Sequence, residues 1–155
     1  MAVKHARLLF LLVPVMLLGA CAANHARAQR DQAHLAAVHA AAGKPVGSFN
    51  YMMSTLYSWE PLSENELLIY TRPDKAWLLN VGLCQELPYT TAIGLTSHVG
   101  QVSTGLDSVV VNRGNFPCRI QKIQPVDVKL LKQKMAQRPG GKMVPESDKQ
   151  TSGNK

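Results

Sequence analysis

The stretch LLIYTRPDKAWLLN, residues 67–80, decides the fold class. Leu67 to Thr71 is apolar and rich in β-prone side chains, and Ala76 to Val81 mirrors it. Between them lies Arg72-Pro73-Asp74-Lys75, with proline where a type I turn wants its fixed φ. Two apolar runs joined by so short a turn predict an antiparallel hairpin. Neither run alternates with polar residues, so both faces of the hairpin are expected to be covered.

Working outward, the body is expected to begin near Ser48. Phe49, Tyr51 and Met53 permit a strand, with a helical turn through Leu56 as the alternative, and Tyr57 to Leu62 reads as a short extended segment ending at Pro61. Ser63-Glu64-Asn65-Glu66 is a turn by composition. Beyond the hairpin, Ala92 to Thr96 and Asp107 to Val111 read as strands, whereas SHVGQVSTGL (97–106) reads as a loop or irregular edge. Asn112 to Asn115 predicts a turn, and Cys118 to Ile123 a returning strand. In one flat strand, Ile120 and Ile123 would point to opposite faces, a conflict that a bulge or an early strand end would remove. Pro125 suits the first turn of a helix, with Asp127 near its positive end. Val128, Leu131 and Met135 form its apolar stripe, and Lys129, Lys132 and Lys134 take the other side. The polar, Gly- and Pro-rich residues 137–155 are expected to be a disordered tail. The fold class is therefore mainly β (α+β). A small antiparallel sheet or partly closed barrel carries one C-terminal helix over residues 48–136.

The first twenty residues have a different character. MAVKHAR carries Lys4 and Arg7 and no acid, and the uncharged run that follows, residues 8–20, is interrupted by Pro14. A membrane-crossing helix needs about 20 apolar residues; this run is shorter, and its basic lead and small-residue end fit a signal peptide, residues 1–20. Leu18-Gly19-Ala20-Cys21 resembles the lipobox of bacterial lipoproteins. That resemblance implies diacylglycerol on the Cys21 sulfur, cleavage before Cys21 and acylation of the new amine, so that the membrane is a partner through lipid. Ala22, rather than Asp, implies sorting to the outer membrane, with the body facing the periplasm. Ala26-Arg27-Ala28 offers the alternative of an ordinary secretory cut and a soluble periplasmic protein. Residues 21–47, rich in alanine and poor in apolar bulk, are expected to form a flexible lipid-attached tether, with at most a weak helix over Gln32 to Ala42.

The net charge is +7, but between Phe49 and Met135 eight cations face seven acids, so the surplus lies in the two ends. A near-neutral body argues against a nucleic-acid groove. With Cys21 assigned to lipid, Cys84 and Cys118 remain, and in an oxidising compartment a leftover pair is expected as a disulfide. Free thiols or a redox pair are the alternatives, though no C-x-x-C motif is present.

Catalytic chemistry finds little footing. His98 is the body's one histidine, and Ser97 or Ser103 with His98 and Asp107 would supply the residue types of a hydrolytic triad. The G-x-S-x-G context is missing. Asp107 is otherwise expected to cap a turn or pair with Arg119. His25, His34 and His39 lack accompanying Cys or carboxylate ligands, so neither a metal nor a cofactor is expected. Glu60, Glu64, Glu66, Glu86 and Asp107 could serve glycoside chemistry only if two of them faced each other, which spacing does not reveal. Trp59 and Trp77 are expected to be core residues in strands.

The body carries Ser58-Trp59-Glu60, Leu67-Leu68-Ile69-Tyr70 and Ala76-Trp77-Leu78-Leu79 leading to Cys84. Ile93-Gly94, Asp107 to Val111 and Cys118-Arg119-Ile120 follow, and then Ile123 to Asp127. In this order it resembles a family of small bacterial envelope lipoproteins known only as a domain of unknown function. The resemblance covers most of Phe49 to Leu131 and implies no activity. The expectation is a lipid-anchored envelope protein acting as a binding or structural module, with an envelope protein as a further partner. The alternative is a small periplasmic hydrolase with a carboxylate- or Ser/His-based site.

Overall fold

The computed structural model describes residues 25, 27–51, 56–111 and 116–137. Cys21 and the expected signal peptide, the turn at 112–115 and the tail from 138 lie outside them. Helix α1 spans 27–41. Strands follow as β1 (Ser48–Asn50), β2 (Ser58–Pro61), β3 (Glu66–Arg72), β4 (Lys75–Asn80), β5 (Ile93–Leu95), β6 (Gln101–Ser103), β7 (Ser108–Val111), β8 (Phe116–Arg119) and β9 (Lys122–Val126), and helix α2 spans Val128–Ala136. The chain divides into two units, Met1–Ala36 and Ala37–Lys155.

The hairpin forms as the sequence predicts. β3 and β4 pair with Leu68 opposite Leu78 and Ile69 opposite Trp77. Pro73 and Asp74 make the turn, and neither has the positive φ that a type I′ turn requires. The register shifts between Tyr70 and Arg72 instead, an irregularity that reconciles the turn with the strand twist. The hairpin is the centre of a four-stranded antiparallel sheet in the order β2-β3-β4-β9. A three-stranded sheet, β5-β7-β8, and a pair, β1-β6, complete the β-structure as small antiparallel sheets rather than a closed barrel.

The lack of alternation in β3 and β4 is explained by cover on both faces. Leu67, Ile69, Trp77 and Leu79 face one cluster with Phe49, Val102, Val109, Val111, Ile120 and Ile123. Leu68, Ala76 and Leu78 face a second cluster with Ala37, Val38, Ala41, Val126, Val128 and Leu131. Ala37, Val38 and Ala41 in the last turn of α1 are thus core residues. Residues 37–46, placed in the tether by the sequence reading, belong to the packed body. Ala42 and Val46 bridge to Val126 and Ile123 of β9. Alanines add little apolar bulk to a sequence profile, but their small size lets a helix approach a sheet closely.

Two further expectations are corrected. The run Cys118 to Ile123 is two strands in different sheets. β8 ends at Arg119 and β9 starts at Lys122. Between them Ile120 N–H donates to Asp107 O, and Gln121 N–H donates to Asn80 O. The break resets the phase, so Ile120 and Ile123 enter the same cluster. Pro125 opens no helix; it lies within β9 opposite Trp77. Its carbonyl accepts from Gly43 N–H at 2.8 Å, so its missing N–H belongs to the outer edge and the ladder to β4 is undamaged. Asp127 is the N-cap of α2, its carboxylate accepting from the N–H groups of Lys129 and Leu130. Val128 and Leu131 bury the helix stripe, whereas Met135 is largely outside it.

Cys84 and Cys118 are joined by a disulfide with Cα atoms 5.8 Å apart. Cys118 pairs with Val109 in the β7-β8 ladder, and Cys84 follows β4, so the bond fastens the four-stranded sheet to the three-stranded one.

Candidate functional site

The body's polar focus is Asp107, whose side chain is wholly buried at 0% exposure. The chain from β6 to β7 makes this possible. Asp107 N–H donates to Ser103 O, and Gly105, with φ +74°, turns the backbone between them. The carboxylate then receives bonds from three directions. Oδ2 accepts from Ser103 N–H at 2.8 Å. Oδ1 accepts from Thr96 Oγ1–H at 3.0 Å and lies 2.9 Å from His98 Nδ1. Thr96 Oγ1 in turn accepts from Ser108 N–H at 2.8 Å. Burial pushes the Asp107 carboxyl up, but the bonds from Ser103, His98 and Thr96, together with charge on His98, outweigh it. The net effect holds the group below its ordinary value.

His98 lies outside this buried pocket of bonds, its side chain 63% exposed. With Nδ1–H donating to the Asp107 carboxylate, Nε2 is the remaining ring nitrogen, and it holds the lone pair of a base whenever the imidazole is neutral. The structure therefore unites His98 and Asp107 of the triad considered from sequence. Ser103 joins only through its backbone N–H, and among the described residues no serine hydroxyl bonds to His98. A base and its orienting carboxylate are present without an engaged nucleophile. Arg119 does not pair with Asp107; its Nη1 donates to Gly105 O at 2.6 Å.

His98 also starts an unusual turn. His98 and Gln101 exchange both backbone hydrogen bonds, enclosing Val99 and Gly100 at φ +53° and +72°. Positive φ at both central positions is the type I′ geometry, which Asn-Gly fills at little cost and a β-branched residue does not. Val99 is nevertheless there, fully exposed. Val99→Asn is expected to raise stability by about 1 kcal/mol. Urea unfolding measures it, and an unchanged or lower midpoint would show that Val99 is not strained.

The other candidate residues are structural. Trp77 stacks on Phe49 with centroids 4.8 Å apart, and Lys75 Nζ lies 5.4 Å from its ring centre. Its Nε1–H is buried without a hydrogen-bond partner. Trp59 packs half-buried against the same cluster. His39 Nε2 lies 3.0 Å from Glu66 Oε2, fastening the end of α1 to the start of β3. Among the described residues no group of three or more His, Cys, Asp or Glu side chains comes together as a metal site. None of the helices is long and apolar enough to cross a membrane among the described residues.

Sequence reasoning named His98 and Asp107 but missed strand β6 between them. The available signal was Val99-Gly100 with Val102 beyond it, a two-residue turn in which only the second residue suits the turn. Neither a curated protein nor a solved structure matches the chain. A model of a family of unknown function, DUF6491, matches residues 4–140, most of the chain's length, and the protein belongs to that family.

Proposed function

We propose that this protein is a lipid-anchored envelope protein whose body is a non-catalytic binding or structural module, held at the periplasmic face of the outer membrane. The observation that carries the reading is Leu18-Gly19-Ala20-Cys21, at the end of a short apolar run with a basic lead. The cysteine inventory supports it. Cys84 and Cys118 are engaged with each other, which leaves Cys21 for lipid, and a structural disulfide fits an oxidising compartment. Several acyl chains on one residue satisfy the requirement that stable anchoring needs more than one. Cys21→Ala is expected to move the protein from the membrane fraction to the soluble periplasm. Retention in membranes after a salt wash would show a different anchor. Density-gradient separation of the wild-type envelope tests the sorting inferred from Ala22; recovery with the inner membrane would contradict it.

The hydrolase alternative draws its support from the His98–Asp107 hydrogen bond at 2.9 Å. It requires an ester- or amide-cleaving activity that His98→Gln abolishes while the fold is kept. The module reading is preferred because the carboxylate's other bonds, to Thr96 and Ser103, serve the turn itself.

A further inference from the structure

We propose that strand β5 is a dimerisation edge, pairing antiparallel with β5 of a second copy of this chain about a two-fold axis at Gly94. This pairing is independent of the lipid anchor and adds a partner to the module reading above.

An edge strand presents a row of unpaired N–H and C=O groups, and native proteins cover or blunt such rows. Among the described residues, every outer edge of the two larger sheets is covered or blunted except that of β5. Beside β9, Gly43 N–H donates to Pro125 O and Val46 N–H donates to Ile123 O. In β2, Leu62 N–H donates to Glu66 O. Counting back by two along the register turns Trp59 and Pro61 outward, and Pro61 has no N–H to offer. In β8, Ile120 N–H donates to Asp107 O, so Pro117 and Arg119 face outward, a missing donor and a charge. β5 has neither device. Thr96 N–H donates to Ser108 O, which continues the pairing of Gly94 with Val110. Ile93 and Leu95 therefore turn their N–H and C=O groups outward. No Asp, Glu, Lys or Arg stands between Glu86 and Asp107 to guard them.

Gly94 lies in the middle of β5, where glycine weakens a strand. Its own chain does not ask for it. Its φ is not positive, and a Cβ there would meet nothing nearer than Val110 Cβ at 4.0 Å. What glycine adds at an exposed edge is room for another backbone to approach closely.

A second copy supplies that backbone. With the axis at Gly94, Ile93 and Leu95 exchange N–H···O=C bonds with Leu95 and Ile93 of the copy, and Gly94 faces its own counterpart. That is the non-hydrogen-bonded position, where Cα atoms come closest, about 4.5 Å apart. Ala92 falls opposite Thr96 and Thr91 opposite Ser97, so no like charges meet. The half-buried side chains of Ile93 and Leu95, packed against the core cluster, gain cover across the seam. The far edge decides between a copy and a lone peptide. A peptide added to β5 would itself become an open edge. A copy brings its own β7 and β8, so the joined sheet ends at Pro117 and Arg119 on both sides. A two-fold of this kind closes on itself and recruits no further chains.

The test uses purified full-length protein carrying Gly94→Cys, treated with a mild thiol oxidant and run on a non-reducing gel. Cα atoms about 4.5 Å apart are within disulfide range, so a covalent dimer is expected from most of the chains. Ser58→Cys, at an exposed position of β2, is the control and is expected to stay monomeric. No dimer from Gly94→Cys, or as much from Ser58→Cys, overturns the proposal. A Gly94→Cys chain that stays monomeric alone but crosslinks to another protein in a cell extract makes β5 the edge for a different partner, and overturns it too. Sedimentation equilibrium needs no new thiol. The wild type should show twice the chain mass. Gly94→Asp sets like charges face to face at the axis, in space that admits a Cβ, and should halve that mass. Equal masses for the two would overturn the pairing even if the cysteine variant failed to fold.

Discussion

Replacing Cys84 and Cys118 together by alanine is expected to lower the unfolding free energy by about 3–4 kcal/mol. The estimate follows from the chain entropy released when a closed loop with a sequence separation of 34 is opened. For a small domain whose total stability is about 5–15 kcal/mol, that is a large fraction. The native structure gives the effect a location. The bond spans from the segment after β4 to β8, so its loss removes the covalent tie between the β5-β7-β8 sheet and the four-stranded one and leaves their shared apolar cluster to hold them, while the β3-β4 hairpin keeps its ladder. Urea unfolding of the purified double variant measures the loss. A midpoint within error of the wild type would contradict it. Quantitative alkylation of both thiols in native, unreduced protein would refute the bond itself.

Asp107→Ala should cost about 2–4 kcal/mol at neutral pH. The substitution removes the acceptor of Ser103 N–H, Thr96 Oγ1–H and His98 at once, and leaves an empty space where a fully buried carboxylate sat. Its pH dependence has a definite sign. The Asp107 carboxyl is held below its ordinary value in the folded protein, so the native state favours the ionised form. The unfolded value is about 3.9, and above it the stabilisation is fully present. It is lost as pH falls through the lower folded value. Asp107→Asn should therefore flatten the acid limb of the stability curve as well as lower its neutral plateau. Urea midpoints taken from neutral pH down to pH about 3 separate the two effects. An acid limb as steep as that of the wild type would mean that other carboxylates control acid unfolding.

What the sequence discloses depends on whether an element is defined by its own pattern or by distant partners. The hairpin was legible because Leu67 to Ile69 and Ala76 to Leu79 are apolar without interruption, and only a strand with both faces covered tolerates that. Helix α2 was legible from the spacing of Val128 and Leu131, although Pro125 misplaced its start. Strand β6 was not legible. Gln101-Val102-Ser103 is too short to show a period, and its partners are Ser48 to Asn50, about half the body away. The same holds for the site. His98 and Asp107 could be named as residue types, but what joins them is the turn from Ser103 to Asp107, whose shape depends on Gly105 and on Ile120 across the chain. The start of the body was hidden for another reason. Ala37 and Ala41 are core residues by position, not by bulk.

The position of β9 has a consequence for the order in which the chain can fold. The hairpin closes over two turn residues and can form locally. The strand that completes its sheet arrives much later, since Ala76 pairs with Val126. The other edge of β9 is taken by Ala42 and Val46, which come from the very start of the body. A chain emerging N-terminus first therefore cannot bury Val38 or Ala41, nor cover the edge of β4, until Val126 and Leu131 are free. Until that moment the hairpin presents an open, apolar edge strand, the kind of template on which unfinished chains pair with one another. For this protein the vulnerable interval is the whole time between the synthesis of Asn80 and that of α2. A factor that shields the β4 edge in that interval would raise the yield of folded protein without adding anything to its final stability.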